Sequence, residues 1–335
     1  MTAVSLYIFN FSITTMFSAI FHKIRNNGLL CFLFKLLILF TFVFTLDLII
    51  GTTLRHFYFK QKVGRLYRAT YAIDKTTDQI LIFGSSRAYH HYNPEVIQEE
   101  LHLTCYNVGS PGQFIIYNYT VLKAVLERHN PEIIILDITP GEFETETSRY
   151  NRLSFLLPYY KDHPEIRSMI NRKGPFEKYK LCSAIYPFNS SFLMIAGGNM
   201  DYFKKKKEDT NGFLPLRNIL SSPIRTESSS NYELDTVKIK MLQSFINLCK
   251  ESNVKLIMAC SPSFIIRENT EPTIQAVKTI SELNDLLFLD YSNDSLFIND
   301  GSLFDDHAHL NENGANVLSR AVCMDIISSR FLESI

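Results

Sequence analysis

The sequence predicts an α/β fold: a parallel sheet with helices on both faces, preceded by an N-terminal transmembrane helix. Three features carry that expectation. After residue 79, short and almost continuously apolar β-rich runs alternate with helical patterns, as in a sheet covered on both faces. The stretch 29–50 is apolar over about 22 residues, enough to cross roughly 30 Å of hydrocarbon. The full length of 335 residues accommodates one α/β unit of about 250 residues plus such an anchor.

Taken in order, residues 4–21 are apolar but carry Asn10, Ser12, Thr14 and Thr15. They read as a second weak span, an interfacial helix, or an over-extended start with Met16 as the initiator. In 29–50 only Lys35 and Asp47 interrupt the apolar run, both towards its ends, where the lysine can snorkel and the carboxylate can reach headgroups. Basic residues flank both ends, so charge alone does not orient the span. A retained anchor is favoured over a cleaved signal peptide, since no A-x-A-like site follows and the core is long for a leader. The expected layout is an N-terminal segment over 1–28, the transmembrane helix over 29–50, a basic linker over 51–78, and a domain over 79–335.

Within that domain, strands are expected at 79–84, 104–108, 132–137, 254–260 and 286–290. Helices are expected at 114–128, at 233–252 where Val237, Met241, Phe245 and Leu248 recur at helical spacing, and at 311–331 with Asn311 or Asn313 at its N-cap. The alternation fails between about 141 and 232, which reads as an insertion or lid rich in Asn, Ser, Pro, Lys and aromatic residues. Its run Lys204 to Lys207 is a solvated loop or a contact for anionic lipid or acidic glycan.

Composition excludes some functions. Thirty-four basic residues balance 34 acidic ones, so nucleic acid is not an expected partner. The six cysteines form no CxxC or Cys/His ligand spacing and read as buried thiols, although a disulfide among the five downstream ones is permitted outside the cytoplasm. No GxGxxG or Walker pattern supports a nucleotide-binding domain.

Three segments fall at the C-terminal ends of expected strands, where open α/β sheets place their sites. Gly84-Ser85-Ser86-Arg87 follows the first strand, Asn107-Val108-Gly109 ends the second, and Asp305-Asp306-His307-Ala308-His309-Leu310-Asn311 precedes the last helix. A serine nucleophile needs a base, and the base needs a carboxylate that fixes its tautomer. Asp306 and His309, in a D-x-x-H spacing, can supply both. A metal site from Asp305, His307 and His309 is the alternative, unsupported by any further ligand cluster. Arg87, His90 and His91 can contact a substrate carboxylate or phosphate, or serve surface and capping roles. Tyr89 and Tyr92 stack on sugars or simply pack.

A strand ending in G-x-S, a glycine after the second strand and a C-terminal D-x-x-H together resemble the SGNH/GDSL hydrolase superfamily. The ending Asp306, His309, Leu310, Asn311 and Gly314 is most similar to that of membrane-anchored, DltD-like or polysaccharide O-acetylation proteins of bacterial envelopes. The resemblance covers roughly residues 79–327 and implies a flavodoxin-like three-layer α/β/α domain outside the cytoplasm. It implies Ser86 as nucleophile, His309 as general base, Asp306 as its orienter, and the N–H groups of Ser86 and Gly109 as the oxyanion hole. Two departures stand out. Ser85 replaces the consensus aspartate, and the third strand ends in Asp137-Ile138-Thr139-Pro140-Gly141 without the usual asparagine donor. The hole then has two donors, or Asn107 or Thr139 fills in. The expected activity is an esterase or O-acyltransferase without cofactor or metal. Its expected partners are an acyl donor or acylated envelope glycan or polymer, the membrane, and a membrane-bound O-acyltransferase. The rival is an inactive module that binds a glycan or partner protein.

Overall fold

The computed structural model describes residues 22–331 except 24, 148, 201–209, 229–230 and 268–270. The stretch 4–21 and the Lys204 to Lys207 run therefore lie outside the described residues.

Five parallel strands form the central sheet: β1 (Ile80–Phe83), β2 (Cys105–Asn107), β3 (Ile133–Asp137), β5 (Lys255–Cys260) and β7 (Leu287–Asp290), in the order β2-β1-β3-β5-β7. The chain steps outward from β1 to β2, then reverses across β1 to β3. That reversal opens a crevice at the carboxyl ends of β1 and β3, the place where such sheets put their sites. Two short strands, β4 (Arg225–Glu227) and β6 (Ile265–Arg267), pair separately.

The side-chain period of two sorts the strand residues between two cores. Leu81, Phe83, Ile134, Leu136, Leu256 and Met258 face one side, where they meet α2 (Gly64–Asp74), α5 (Ile115–Leu126), α9 (Thr236–Glu251) and α10 (Pro272–Leu283). Ile80, Ile82, Ile133, Ile135 and Ile257 face the other, against α3 (Ser86–His91), α4 (Pro94–Leu101) and α11 (Glu312–Ser328). Each such aliphatic side chain, removed from water, contributes about 1.5–3 kcal/mol. The expected three-layer α/β/α fold is the one observed, with every expected strand and helix within three residues of its bounds.

The apolar helix α1 (Gly28–Lys60) is capped by Asn27, whose side chain accepts from the Leu29 and Leu30 N–H groups. It is long and apolar enough to cross a membrane and continues about 15 Å past residue 50 at 1.5 Å per residue. In that extension Gly51, Leu54 and Tyr58, spaced at three and four, are buried against the domain. The linker expected over 51–78 is instead helical, through the end of α1 and then α2. Its basic charges suggest solvation, but the guanidinium groups stack on rings: Arg55 on Phe59, Arg65 on Phe155 and Arg68 on Tyr89, at 4.8, 4.7 and 4.4 Å.

The insertion is folded as well. A 3-10 helix (Asn151–Tyr159) and α6 (Pro164–Ile170) bury Leu153, Leu156, Tyr159, Ile166 and Ile170 in the core that α5 and α1 share. Two further helices follow, α7 (Glu177–Lys180) and α8 (Phe192–Asn199), of which α8 packs along α1. This part packs into the core and against α1. All six cysteines are free.

Gly84, between β1 and the first turn of α3, adopts φ +149°, and a Cβ there would come within 2.7 Å of both the Asp137 carbonyl oxygen and the Ala88 Cβ. Gly84→Ala should therefore lower stability by about 1–3 kcal/mol. Thermal denaturation measures this, and an unchanged midpoint would contradict the packing described.

Candidate active site

Ser86 is the one residue between Ile80 and Tyr89 that is not buried. It is the first residue of α3, so its N–H has no acceptor within the helix and points out of the helix start. Ser85 is the cap: its Oγ accepts the Arg87 N–H at 3.4 Å and lies 2.7 Å from Thr139 Oγ1.

Ser86 Oγ lies 2.9 Å from Nε2 of His309. On the far side of that ring, Nδ1 lies 3.1 and 3.0 Å from the two oxygens of Asp306. A carboxylate only accepts, so Nδ1 carries the proton and Nε2 is left to accept the serine hydroxyl. Asp306 Oδ1 also accepts the N–H groups of Ala308 and His309 at 2.7 and 2.9 Å. Burial alone would raise the Asp306 pKa. The ring hydrogen bond and these two N–H groups outweigh it and hold the carboxyl below its ordinary value. The loop that carries both residues is closed by Asn311, which caps α11 through Gly314 N–H and donates to the Asn218, Ser302 and Phe304 carbonyls.

Beneath this relay lies a buried polar network with no counterpart in the sequence reading. Asp137, at the end of β3 and fully buried, accepts from Tyr92 Oη and Ser261 N at 2.8 Å each and from Ser261 Oγ at 3.1 Å. Ser261 Oγ in turn accepts from Arg87 Nε at 3.1 Å and from His91 Nδ1 at 3.0 Å. His91 Nε2 accepts the Leu310 N–H at 3.0 Å, which fixes its neutral tautomer. Arg87 and His91, expected to touch substrate, are 4% and 0% exposed and tie α3 to the end of β5 and to the His309 loop. Tyr92 likewise packs rather than stacks on a ligand.

His90 remains beside the relay, its ring centroid 5.6 Å from that of His309. Its Nδ1 lies 2.7 Å from the Leu214 carbonyl oxygen, which assigns the ring proton to Nδ1 and leaves Nε2 as an acceptor. Burial pushes its pKa down to about 4, although the Leu214 bond works the other way. Burial, reinforced by the charge of Arg87, holds His91 further below its ordinary value.

The expected oxyanion donors fare unequally. The Ser86 N–H, at the first position of α3, has no acceptor within the helix. The Gly109 N–H donates instead to Asn107 Oδ1 at 2.9 Å. Asn107, expected as a reserve donor, spends its amide on the Ala88 and Tyr92 carbonyls at 2.7 and 2.9 Å and is buried. The Thr139 N–H donates to Glu142 Oε2. Gly109 sits close enough to α3 that a Cβ would lie 2.6 Å from Tyr89 N, which explains its identity by packing. The metal alternative also dissolves. Asp305 accepts the Asn218 N–H and His307 Nε2 lies 3.0 Å from the Pro223 carbonyl. Among the described residues no three His, Cys, Asp or Glu side chains are grouped to hold a metal ion.

Residues 210–224 form a strap over this region, unrecognised in the sequence because it has no period. Asn211 O accepts from Asn107 N, Leu214 N donates to Tyr89 O, Leu216 O accepts from Glu312 N, and Leu220 N donates to Phe304 O. Behind the strap lies a cavity of about 700 Å³, lined by Gln61, Arg65, Tyr106, Leu193, Gly198 and Leu214 among others. Ser86 is not part of its wall.

No protein-family model matches the chain, and no curated protein matches it. Among solved structures the chain is similar to a crystal structure of a candidate acylhydrolase from Bacteroides fragilis. The identity is 11%, the TM-score 0.36, and the match covers 76% of this chain and 89% of that one. A likeness this distant carries no weight for the chemistry.

The two depressed histidines set a pH dependence. Each is neutral when folded but takes up a proton near pH 6.5 when unfolded, so the stability each contributes is complete above about pH 6.5 and is lost as pH falls from there. The slope is up to about 1.4 kcal/mol per pH unit per histidine. Buried Glu142, raised to about 8, and His163, raised by its carboxylate partners, act in the opposite sense, so the test is a difference: the melting midpoint of His90→Gln relative to the parent should rise as pH falls from 7.5 to 5. A difference that does not change with pH would contradict the buried, neutral assignment.

Proposed function

We propose that the protein is a membrane-anchored serine acyl-ester enzyme of the SGNH type, an esterase or O-acyltransferase acting on esters of cell-envelope glycans or polymers. The observation that carries this reading is the continuous relay from Ser86 Oγ through His309 to Asp306, set at the crevice of a parallel sheet. The envelope substrates, and the placement of the domain outside the cytoplasm, follow from the resemblance of the Gly84 and Asp306 to Gly314 motifs.

In the first half-reaction Ser86 Oγ attacks the ester carbonyl carbon while its proton passes to His309 Nε2. Asp306 stabilises the imidazolium that forms without taking the proton itself. Collapse of the tetrahedral intermediate breaks the bond to the leaving alkoxide, which receives the proton from Nε2. In the second half, water or an acceptor hydroxyl gives its proton to Nε2 and attacks the acyl-serine carbonyl; collapse of this second intermediate breaks the bond to Ser86 Oγ, which takes the proton back from Nε2. The developing oxyanion meets the Ser86 N–H. A second donor requires Gly109 to turn from Asn107 to the substrate, and each such donor is worth about 3 kcal/mol. No cofactor enters these steps.

The occupied Gly109 N–H also favours a second reading, a non-catalytic module that binds a glycan or protein at the same crevice. Kinetics separate the two. With p-nitrophenyl acetate, the full-length protein in detergent should turn over, and Ser86→Ala and His309→Ala should each lose at least about a thousandfold in kcat. Asp306→Asn should lose about as much, through the wrong histidine tautomer. Turnover unchanged in Ser86→Ala would sink the acyl-enzyme, and absence of turnover in every form would favour the binding module.

A further inference from the structure

The insertion makes an attachment to α1 that the chemistry above does not use. Asp47, the acidic residue inside the apolar run, accepts from Ser183 Oγ and Ala184 N at 2.6 Å each and from Ile185 N at 3.3 Å. One turn on, Gly51 lies so close to the backbone of Ala184 that a Cβ would come within 2.5 Å of its carbonyl carbon and oxygen. Asp47 and Gly51 are four apart and share a helix face, so the turn 183–185 is seated on that face. The preceding residues 28–46 rise about 28 Å, close to the hydrocarbon thickness of about 30 Å. The turn is therefore fixed at the level where α1 leaves the hydrocarbon.

The segment before this turn carries bulky apolar side chains that are exposed among the described residues. Phe176 is 69% exposed and Tyr179 61%. Arg172, Lys178 and Lys180 are exposed beside them, with Lys178 Nζ 4.9 Å from the Tyr179 ring centroid. Aromatic rings with interspersed long cationic side chains are the composition of a membrane–water interface. The polar face of the same segment is turned inward and satisfied: buried Glu177 accepts from Tyr186 Oη at 2.5 Å and pairs with Lys173 and Lys180.

We infer that residues 172–183 form a platform seated in the headgroup layer of the bilayer, with Phe176 and Tyr179 inserted among the lipids. The inference rests on the reading of α1 as a membrane anchor. A span alone leaves a domain free to tilt, whereas a span plus this platform makes two contacts with the bilayer.

The chain contains no tryptophan, so single-tryptophan variants of the full-length protein report depth directly. Phe40→Trp (mid-span), Phe176→Trp, Tyr179→Trp and Leu283→Trp, the last beside β7 and 79% exposed, are reconstituted into vesicles of phosphatidylglycerol and acyl-brominated phosphatidylcholine. All four sites are exposed, where substitution disturbs folding least. The expected result is strong bromine quenching in the mid-span variant Phe40→Trp and none in Leu283→Trp. Phe176→Trp and Tyr179→Trp should show at least about twofold bromine quenching, with shielding from aqueous acrylamide. If the two platform variants behave like Leu283→Trp while Phe40→Trp is quenched, the platform is overturned and the anchor stands. If Phe40→Trp itself is not quenched, the anchor reading fails and the platform with it.

Discussion

The hydroxyl of Ser261 is the point from which the serine and histidine of the site both hang. It donates to Asp137 at the end of β3 and accepts from Arg87 and His91, both on the helix that begins with Ser86. His91 extends the connection to Leu310, next to His309. Ser86 and His309 are 223 residues apart in sequence, and this buried path fixes one against the other at hydrogen-bond distance. Unpaired polar groups at this depth would cost about 1–3 kcal/mol each, so the network holds only if its members stay in register. That requirement, rather than contact with substrate, accounts for Arg87, His91 and Tyr92.

The strap 210–224 and the platform are separate parts of the insertion. The strap adds backbone bonds from β2, from Tyr89 and from the His309 loop, clasping the relay from outside while the Ser261 network holds it from within. The earlier part of the insertion joins the core of α1, α2 and α5. The helix that leaves the apolar stretch and the domain that carries Ser86 are thus one packed unit, with no flexible tether between Ile50 and Ile80. For an acyl-transfer enzyme this rigidity would hold the crevice at a set height above the bilayer, and a fixed position raises the effective concentration of a polymer anchored nearby.

The strands and the three site motifs were legible because both are local. Ile80 to Phe83 and Ile133 to Leu136 are apolar without interruption, and a doubly covered strand cannot be otherwise. The D-x-x-H spacing of Asp306 and His309 is met within one loop, where Asp306 also accepts the His309 N–H. What stayed hidden depends on contacts across the fold. Arg65 and Arg68 signal a solvated linker until Phe155 and Tyr89 are placed beneath them. Gly109 reads as an oxyanion donor until Asn107 is seen to take its N–H. Ser261 carries no motif at all, and its weight comes only from Asp137, Arg87 and His91 converging on one hydroxyl. Helices of the insertion escaped notice because its short segments show no sustained period, yet Leu153, Tyr159 and Ile170 are fully buried.

The central claim is that Ser86 is a nucleophile activated by His309. Its most direct test is to react the full-length protein with a fluorophosphonate and map the modified residue by peptide mass spectrometry, beside His309→Ala. The account predicts one adduct, on Ser86, formed at a rate that collapses when His309 is removed. Modification elsewhere, or labelling of Ser86 at the same rate without His309, would contradict it.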